Sequence, residues 1–179
     1  MVLPTNHIIQ GDTLTVLKTF PDACIDCVVS SPPYWSLRDY GVEGQLGLEP
    51  TLEEFLHTML AVTAELKRVL KPTGTLWWNH GDCYSTGGKA VSRPSMSLGS
   101  TVKRVLNRDY IPPLRSDVPE KSLVLQNYRL TIRMVDEQAW ILRNVVVWHK
   151  SNVMPASVRD RFTIDYEPMF FGSLVFSGV

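Results

Sequence analysis

Nothing in this 179-residue sequence approaches the roughly 18 consecutive apolar residues that a membrane span needs. The opening Met1-Val2-Leu3-Pro4-Thr5-Asn6 also lacks the basic and apolar layout of a secretory signal. A soluble, cytoplasmic protein is therefore expected. Cysteine is scarce: three residues, an odd number, argue against a disulfide framework and fit a reducing compartment. Cys24 and Cys27 form a C-x-x-C pair, but no second pair completes a zinc site. Their odd separation along a strand would point them to opposite faces, so they read as two small core residues and no metal is expected. Net charge is absent too, at zero, which does not by itself advertise a nucleic-acid binder. No internal repeat is visible.

A composition that is 44% hydrophobic and 20% charged places the chain among ordinary globular proteins, with a length suited to one domain. The charge is unevenly spread. Between Ser85 and Lys121 stand seven cations (Lys89, Arg93, Lys103, Arg104, Arg108, Arg115, Lys121) against three anions. This stretch lacks periodicity and is rich in Ser, Gly, Pro and Arg, so it reads as a long flexible basic loop at about 85–121 that could meet phosphates or simply be solvated.

Elsewhere the pattern alternates strands and helices. His7-Ile8-Ile9-Gln10 is a short strand candidate before Gly11-Asp12, and Thr13 to Leu17 spaces its apolar residues for a brief helix. Cys24 to Ser30 has an apolar centre without alternation, as expected of a strand buried on both faces of a parallel sheet. Thr51 to Leu70 is the strongest helix, with Thr51 and Glu54 as a capping box and Leu52, Phe55, Leu56, Met59, Thr63, Leu66 and Leu70 at helical spacing. Lys71-Pro72-Thr73-Gly74 should end it, and Thr75 to Asn79 reads as the next strand. Asn127 to Glu137 reads as a helix; Arg143 to Trp148 and Tyr166 to Phe171 read as a strand pair. Strand, helix, strand in repetition is the pattern of an α/β sheet.

The chemistry is concentrated in Ser31-Pro32-Pro33-Tyr34. Two consecutive prolines fix φ, remove two backbone donors and push the preceding residue toward extended geometry, so the loop leaves its strand rigidly with carbonyls available. With the Ser31 hydroxyl and the Tyr34 ring, the tetrapeptide can accept hydrogen bonds from an amino group while stacking on the base that carries it. Ligands of open α/β sheets bind outside the carboxyl ends of strands, where this loop falls.

On these residues the chain resembles the amino-directed DNA methyltransferases, whose S/D/N-P-P-Y/F/W tetrapeptide holds a flipped base. Further matches are Gly11-Asp12 with Leu14, Leu17 and Asp26, the helix ending in Leu70-Lys71-Pro72-Thr73-Gly74, and the turn Asn79-His80-Gly81-Asp82-Cys83-Tyr84. Trp148 to Val158 with Asp160-Arg161 is similar to the family's W-x-K-P-N-x-M-P-x-S-V-x-D-R segment.

The resemblance implies an incomplete Rossmann-like S-adenosylmethionine-dependent methyltransferase sheet with helices on both faces, acting on double-stranded DNA as part of restriction-modification. The serine form implies the N4 amine of cytosine, with adenine N6 as the alternative; a non-catalytic DNA-binding remnant is a further one. It implies direct transfer, in which Ser31 and the Pro32 carbonyl hold the two amine protons so that the nitrogen lone pair attacks the sulfonium methyl in line. The absence of a Pro-Cys pair counts against carbon-5 methylation through a covalent cysteine adduct.

Asp12 would accept a hydrogen bond from the cofactor's adenine amine, or serve only as a helix cap. Tyr34 is a stacking platform or a core residue. His80 and Asp82 suggest acid–base work or a turn cap. Trp77, Trp78 and Trp148 read as core. Lys150, Asn152, Ser157 and Arg161 would face the base, the phosphates or plain solvent.

The family's D-P-F-x-G-x-G cofactor loop has no counterpart: Gly87-Gly88 follows no strand, and residues 170–179 depart from the family pattern. The resemblance therefore implies a truncated enzyme, inactive alone. Sheet edges would lie open for a complementary chain or a second copy.

Overall fold

The computed structural model describes residues 5–86, 118–155 and 158–175. In chain order these form α1 (Thr13–Leu17), β1 (Ile25–Ser30), α2 (Leu52–Val69), β2 (Leu70–Asn79), α3 (Gln126–Gln138), β3 (Ile141–His149) and β4 (Tyr166–Ser173). The four strands make one mixed sheet in the order β1-β2-β4-β3. β1 and β2 run parallel, while β4 is antiparallel to both β2 and β3, so the expected strand pair near the C-terminus forms. None of the described helices is long and apolar enough to cross a membrane.

Two compact units divide the chain. The first draws on residues 1–32, 65–81 and 135–179 and holds the whole sheet; the second draws on residues 33–64 and 82–134.

α2 begins as its sequence predicts. Glu54 N–H donates to Thr51 Oγ1 at 3.2 Å and Thr51 N–H donates to Glu54 Oε2 at 3.0 Å, the reciprocal pair that satisfies two orphan donors of a helix start. In the second unit its residues Leu52, Phe55, Leu56, Met59, Leu60 and Val62 are buried, together with Trp35, Val124, Leu130 and Met134.

The helix does not end in a turn. It ends at Val69, just before Lys71-Pro72-Thr73-Gly74 as the composition suggests, but β2 begins at once with Leu70 and takes these four residues into the strand. The last carbonyls of α2 are satisfied from outside the helix: Ala23 N–H donates to Arg68 O and Cys24 N–H to Val69 O. The Arg68 guanidinium binds Asp22 and Glu65 and donates to the carbonyls of Leu17 and Phe20, which fastens α1 to this end of α2. Gly74 is required by space, because an added Cβ would lie 2.9 Å from Lys71 O and 3.2 Å from Asp26 O.

The two faces of the sheet differ. One carries Leu76, Trp78 and Phe170, all buried, and is the core of the first unit with Val69, Leu70 and Trp140. The other carries Cys27, Val29, Trp77, Asn79, Phe171, Glu167 and Trp148, which the register places on one side. There Val29 is 75% exposed and Trp148 59% exposed, while Trp77 and Phe171 stack on each other with ring centroids 4.4 Å apart.

This corrects three expectations. β1 is not buried on both faces, because among the described residues it pairs with β2 alone, at the sheet edge, and one of its faces is open. Trp148 is not core, for the same reason. Of the cysteines, Cys24 is half-buried and Cys27 exposed, both as free thiols. The strand expected at residues 7–10 is also missing: these residues are exposed and unpaired with the sheet, Ile8 completely so.

Candidate active site

β1 ends at Ser30, which pairs with Trp78, and delivers the tetrapeptide at the carboxyl end of the two parallel strands. Ser31 and Pro33 are exposed, Pro32 is buried and Tyr34 is half-buried. The prolines offer no N–H, so the loop presents acceptors without competing donors of its own.

Trp35, the next residue, is what fixes the loop. It is 1% exposed. Its backbone N–H donates to Gln126 Oε1 at 2.8 Å and its indole Nε1 donates to Glu49 O at 2.9 Å. The chain then folds back, with Ser36 N–H donating to Gly47 O at 2.6 Å and Leu37 N–H to Tyr34 O at 3.3 Å. Gly47 has φ +95°, and a Cβ there would stand 3.0 Å from Tyr34 O and 3.2 Å from Pro33 Cβ. Only glycine lets this part of the loop pass so close to the motif.

Gln126 is itself positioned. It is fully buried, its Nε2 donates to Cys83 Sγ at 3.4 Å, and it opens α3, whose first N–H groups meet Asp82. Leu125 N–H and Gln126 N–H donate to the Asp82 carboxylate at 2.9 and 3.3 Å. Asp82 is thus the cap of α3, the structural one of the two roles open to it.

Burial pushes its carboxyl above the usual carboxylate range, and the N–H groups of Cys83, Leu125 and Gln126 pull the other way. A raised folded-state pKa means that the folded chain holds this proton better than the unfolded one. Stability linked to Asp82 is therefore full below the ordinary value of 3.8 and is lost as pH rises through the higher folded value. Asp82→Asn should raise the urea midpoint at pH 7 and lose that advantage near pH 4. Asp82→Ala, leaving the helix start uncapped, should cost about 1 kcal/mol at both.

Asp12 is exposed and caps α1, its Oδ1 accepting from Thr15 N–H at 2.9 Å and Thr15 Oγ1 at 2.8 Å; the Thr15 backbone bond is the main cause holding its carboxyl below the usual range. His80 is wholly buried, edge-on to Trp78 with ring centroids 6.5 Å apart, and its backbone N–H donates to Pro168 O. Lys150 is ion-paired with Glu167, and Arg161 lies 3.8 Å from Asp160. Lys89, Arg93, Lys103 and Arg104 lie outside the described residues, as does Ser157. The ends of the basic stretch are pinned: Tyr84 bridges to Leu123, and Ser85 and Lys121 exchange backbone bonds with their neighbours there. Among the described residues no group of His, Cys, Asp and Glu could hold a metal ion.

Gly47 and Gln126 carry no functional signal in the sequence. A tryptophan directly after the tetrapeptide is the one local cue. Gln126 lies 91 residues away and gives none.

The DNA methylase family profile matches residues 25–173. The type II methyltransferase M.XycI of Xanthomonas campestris pv. cyanopsidis is 41% identical over 170 residues, covering 95% of this chain and 55% of that protein. M.Cfr9I of Citrobacter freundii is 39% identical, covering 91% and 52%. The chain thus spans about half the length of these curated relatives.

Among solved structures, the PvuII cytosine-N4-specific DNA methyltransferase superposes with a TM-score of 0.59 at 20% identity, over 92% of this chain and 48% of that one. A Thermus thermophilus protein solved with S-adenosyl-L-methionine superposes at 0.53 with 25% identity, over 91% and 53%.

Proposed function

This chain belongs to the DNA methylase family, and from that membership we propose that it is the base-holding part of an S-adenosylmethionine-dependent methyltransferase acting on the N4 amine of cytosine in double-stranded DNA. One observation carries the reading: Ser31-Pro32-Pro33-Tyr34 leaves the carboxyl end of β1 on a loop clamped by Trp35, Gln126 and Gly47. Serine in the first position is the form the resemblance associates with cytosine. Two acceptors and an aromatic ring within one tetrapeptide suit a planar base bearing an amino group, and the two prolines restrict the chain that carries them. A neutral hydroxyl is a weaker proton acceptor than a carboxylate, so Ser31 acts chiefly by position.

Asp12, the residue through which the resemblance would bind the cofactor, is exposed and its Oδ1 is engaged in capping α1. What this chain contributes is therefore the acceptor side of the reaction. The cofactor's cradle would be supplied by a part that the relatives carry outside the matched half, which would also cover the open edge of β1 and the exposed face around Val29. DNA phosphates would meet the cations of residues 89–104 together with Arg161, and the protein would work in the cytoplasm.

The test is complementation. The chain is assayed alone and with the part of the Xanthomonas relative that lies outside the match, using S-adenosylmethionine, DNA and mass spectrometry of the digested bases. The chain alone should leave DNA unmodified, and the complemented pair should produce N4-methylcytosine. N6-methyladenine would overturn the choice of base. Salt-sensitive DNA binding without any methylation by the pair would overturn the enzymatic reading in favour of a DNA-binding remnant.

A further inference from the structure

β4 runs antiparallel to both β2 and β3, so β3 ends and β4 begins at the end of the sheet where the parallel strands finish. Asn79, the last residue of β2, pairs with Met169 near the start of β4, and His149, the last of β3, pairs with Tyr166, the first of β4. The connection over residues 150–165 therefore emerges at the same sheet end as Ser31, which follows β1. Its root is fixed: Lys150 N–H donates to Asp165 O at 2.6 Å, the Lys150 ammonium pairs with Glu167, and the His149 imidazole lies 3.7 Å from the Asp165 carboxylate. From that root Phe162 stands out into water, 95% exposed, more than any other aromatic ring among the described residues. A bend over Arg159, Asp160 and Arg161 precedes it. Scattered apolar side chains are ordinary on a surface. This ring is set apart by its place, directly after two arginines in sequence and at the end of the sheet that delivers the base-holding motif.

We propose that Phe162 is a wedge that enters the stack of double-stranded DNA next to the base being flipped, while Arg159 and Arg161 hold phosphates beside the opened step. This rests on the base-holding reading of Ser31-Pro32-Pro33-Tyr34. A base cannot reach that tetrapeptide from inside a duplex, and its extrusion leaves the neighbouring bases unstacked. An apolar ring inserted between them replaces the lost stacking, and its own exposure to water ends at the same moment. A ring that gripped the flipped base would line a recess, which half-buried Tyr34 suits; one that projects as far as Phe162 suits the stack the base has left. The two arginines offer charge to the phosphate backbone, and Asp160, 3.8 Å from Arg161, offsets only part of it. The part that the relatives carry outside the match is not the occupant. It would fill the open edge of β1, whereas the order β1-β2-β4-β3 sets this connection beyond β2, at the other side of the sheet.

The experiment uses the intact chain and needs no methylation. Fluorescence anisotropy measures its binding to a short labelled duplex and to the same duplex with one abasic site, a gap already open for a ring. The gapped duplex should bind roughly tenfold more tightly, the order expected from one aromatic ring stacking without first having to part a base pair. Phe162→Ala should abolish that ratio, and Phe162→Trp should keep it. Both variants should melt where the wild type does, because the side chain is in water. Arg159→Gln combined with Arg161→Gln should weaken binding to both duplexes alike and flatten its salt dependence, leaving the ratio in place.

Equal affinity of the wild-type chain for the two duplexes, binding to neither, or a preference that survives in Phe162→Ala would each overturn the wedge. Unchanged salt dependence in the arginine double variant would overturn the phosphate contacts. Failure of the two readings is separable. A complemented pair that methylates DNA while the chain shows no preference for the gap removes the wedge alone. A preference that depends on Phe162, with DNA left unmodified in the complementation assay, keeps the wedge and removes the enzymatic reading.

Discussion

Alanine at position 31 should leave the complemented protein folded and DNA-bound but slow its methyl transfer about a hundredfold, the order lost when one positioned hydrogen-bonding group is removed from a reacting centre. The side chain is exposed, and it lies in a loop whose clamps are Trp35, Gln126 and Gly47. Removing its hydroxyl therefore takes nothing from the packing. Single-turnover methylation should show the loss in the chemical step, while the melting temperature stays where it was. A serine-to-alanine variant that methylates at the wild-type rate would remove Ser31 from the reaction. One that unfolds would show the hydroxyl to be a structural group instead.

Trp35→Ala should have the largest effect on stability of any substitution in the second unit. The ring is almost wholly buried among the side chains of that unit's core. Emptying such a site costs about 3–5 kcal/mol from lost transfer energy and the cavity left behind. The indole bond to Glu49 O goes too, leaving a carbonyl to find water. Against a total of about 5–15 kcal/mol for an ordinary domain, that loss should bring the unit close to unfolding at room temperature.

Trp35→Phe separates the parts: it retains most of the volume, loses only the hydrogen bond, and should cost about 1 kcal/mol. Urea unfolding followed by hydrogen exchange at Phe55, Met59 and Leu130 would report both. An unchanged midpoint for Trp35→Ala would mean that the loop after the tetrapeptide is not anchored in the core.

Ser31 and Trp35 stand in adjacent parts of one loop, yet the sequence treats them unequally. Ser31 is legible because its meaning is local: two prolines impose their geometry on whatever precedes them, wherever they stand. The capping box at Thr51 and Glu54 is legible for the same reason, since a helix start is decided within four residues. α3 and the β3–β4 pair are likewise readable from period and composition to within one or two residues at most ends.

Where sequence and structure part, a distant partner decides the outcome. Residues 7–10 have the apolar character of a strand, but a strand exists only if another chain segment pairs with it, and none of the described segments does. β1 has the uniform apolar centre of a doubly buried strand, yet its burial depends on what lies beside and above it. Lys71 to Gly74 carries helix-stopping residues and does follow the end of α2, but the next strand already begins at Leu70, before the expected Thr75. The segment bulges between the pairs Ile25–Leu70 and Cys27–Thr75, with Asp26 O passing close to Gly74.

The amino acids alone therefore determined the local chemistry of this protein: a hydroxyl, two prolines and an aromatic ring in a fixed order, with a strand before them and a capped helix after. The tertiary structure alone decided what holds that chemistry in place. Gln126 reaches Trp35 across 91 residues, Asp82 caps a helix it does not belong to, and Lys150 fixes Glu167, which fixes Asn79. Backbone preferences act between neighbours in sequence, whereas burial and hydrogen-bond satisfaction act between neighbours in space, and only folding establishes which residues those are.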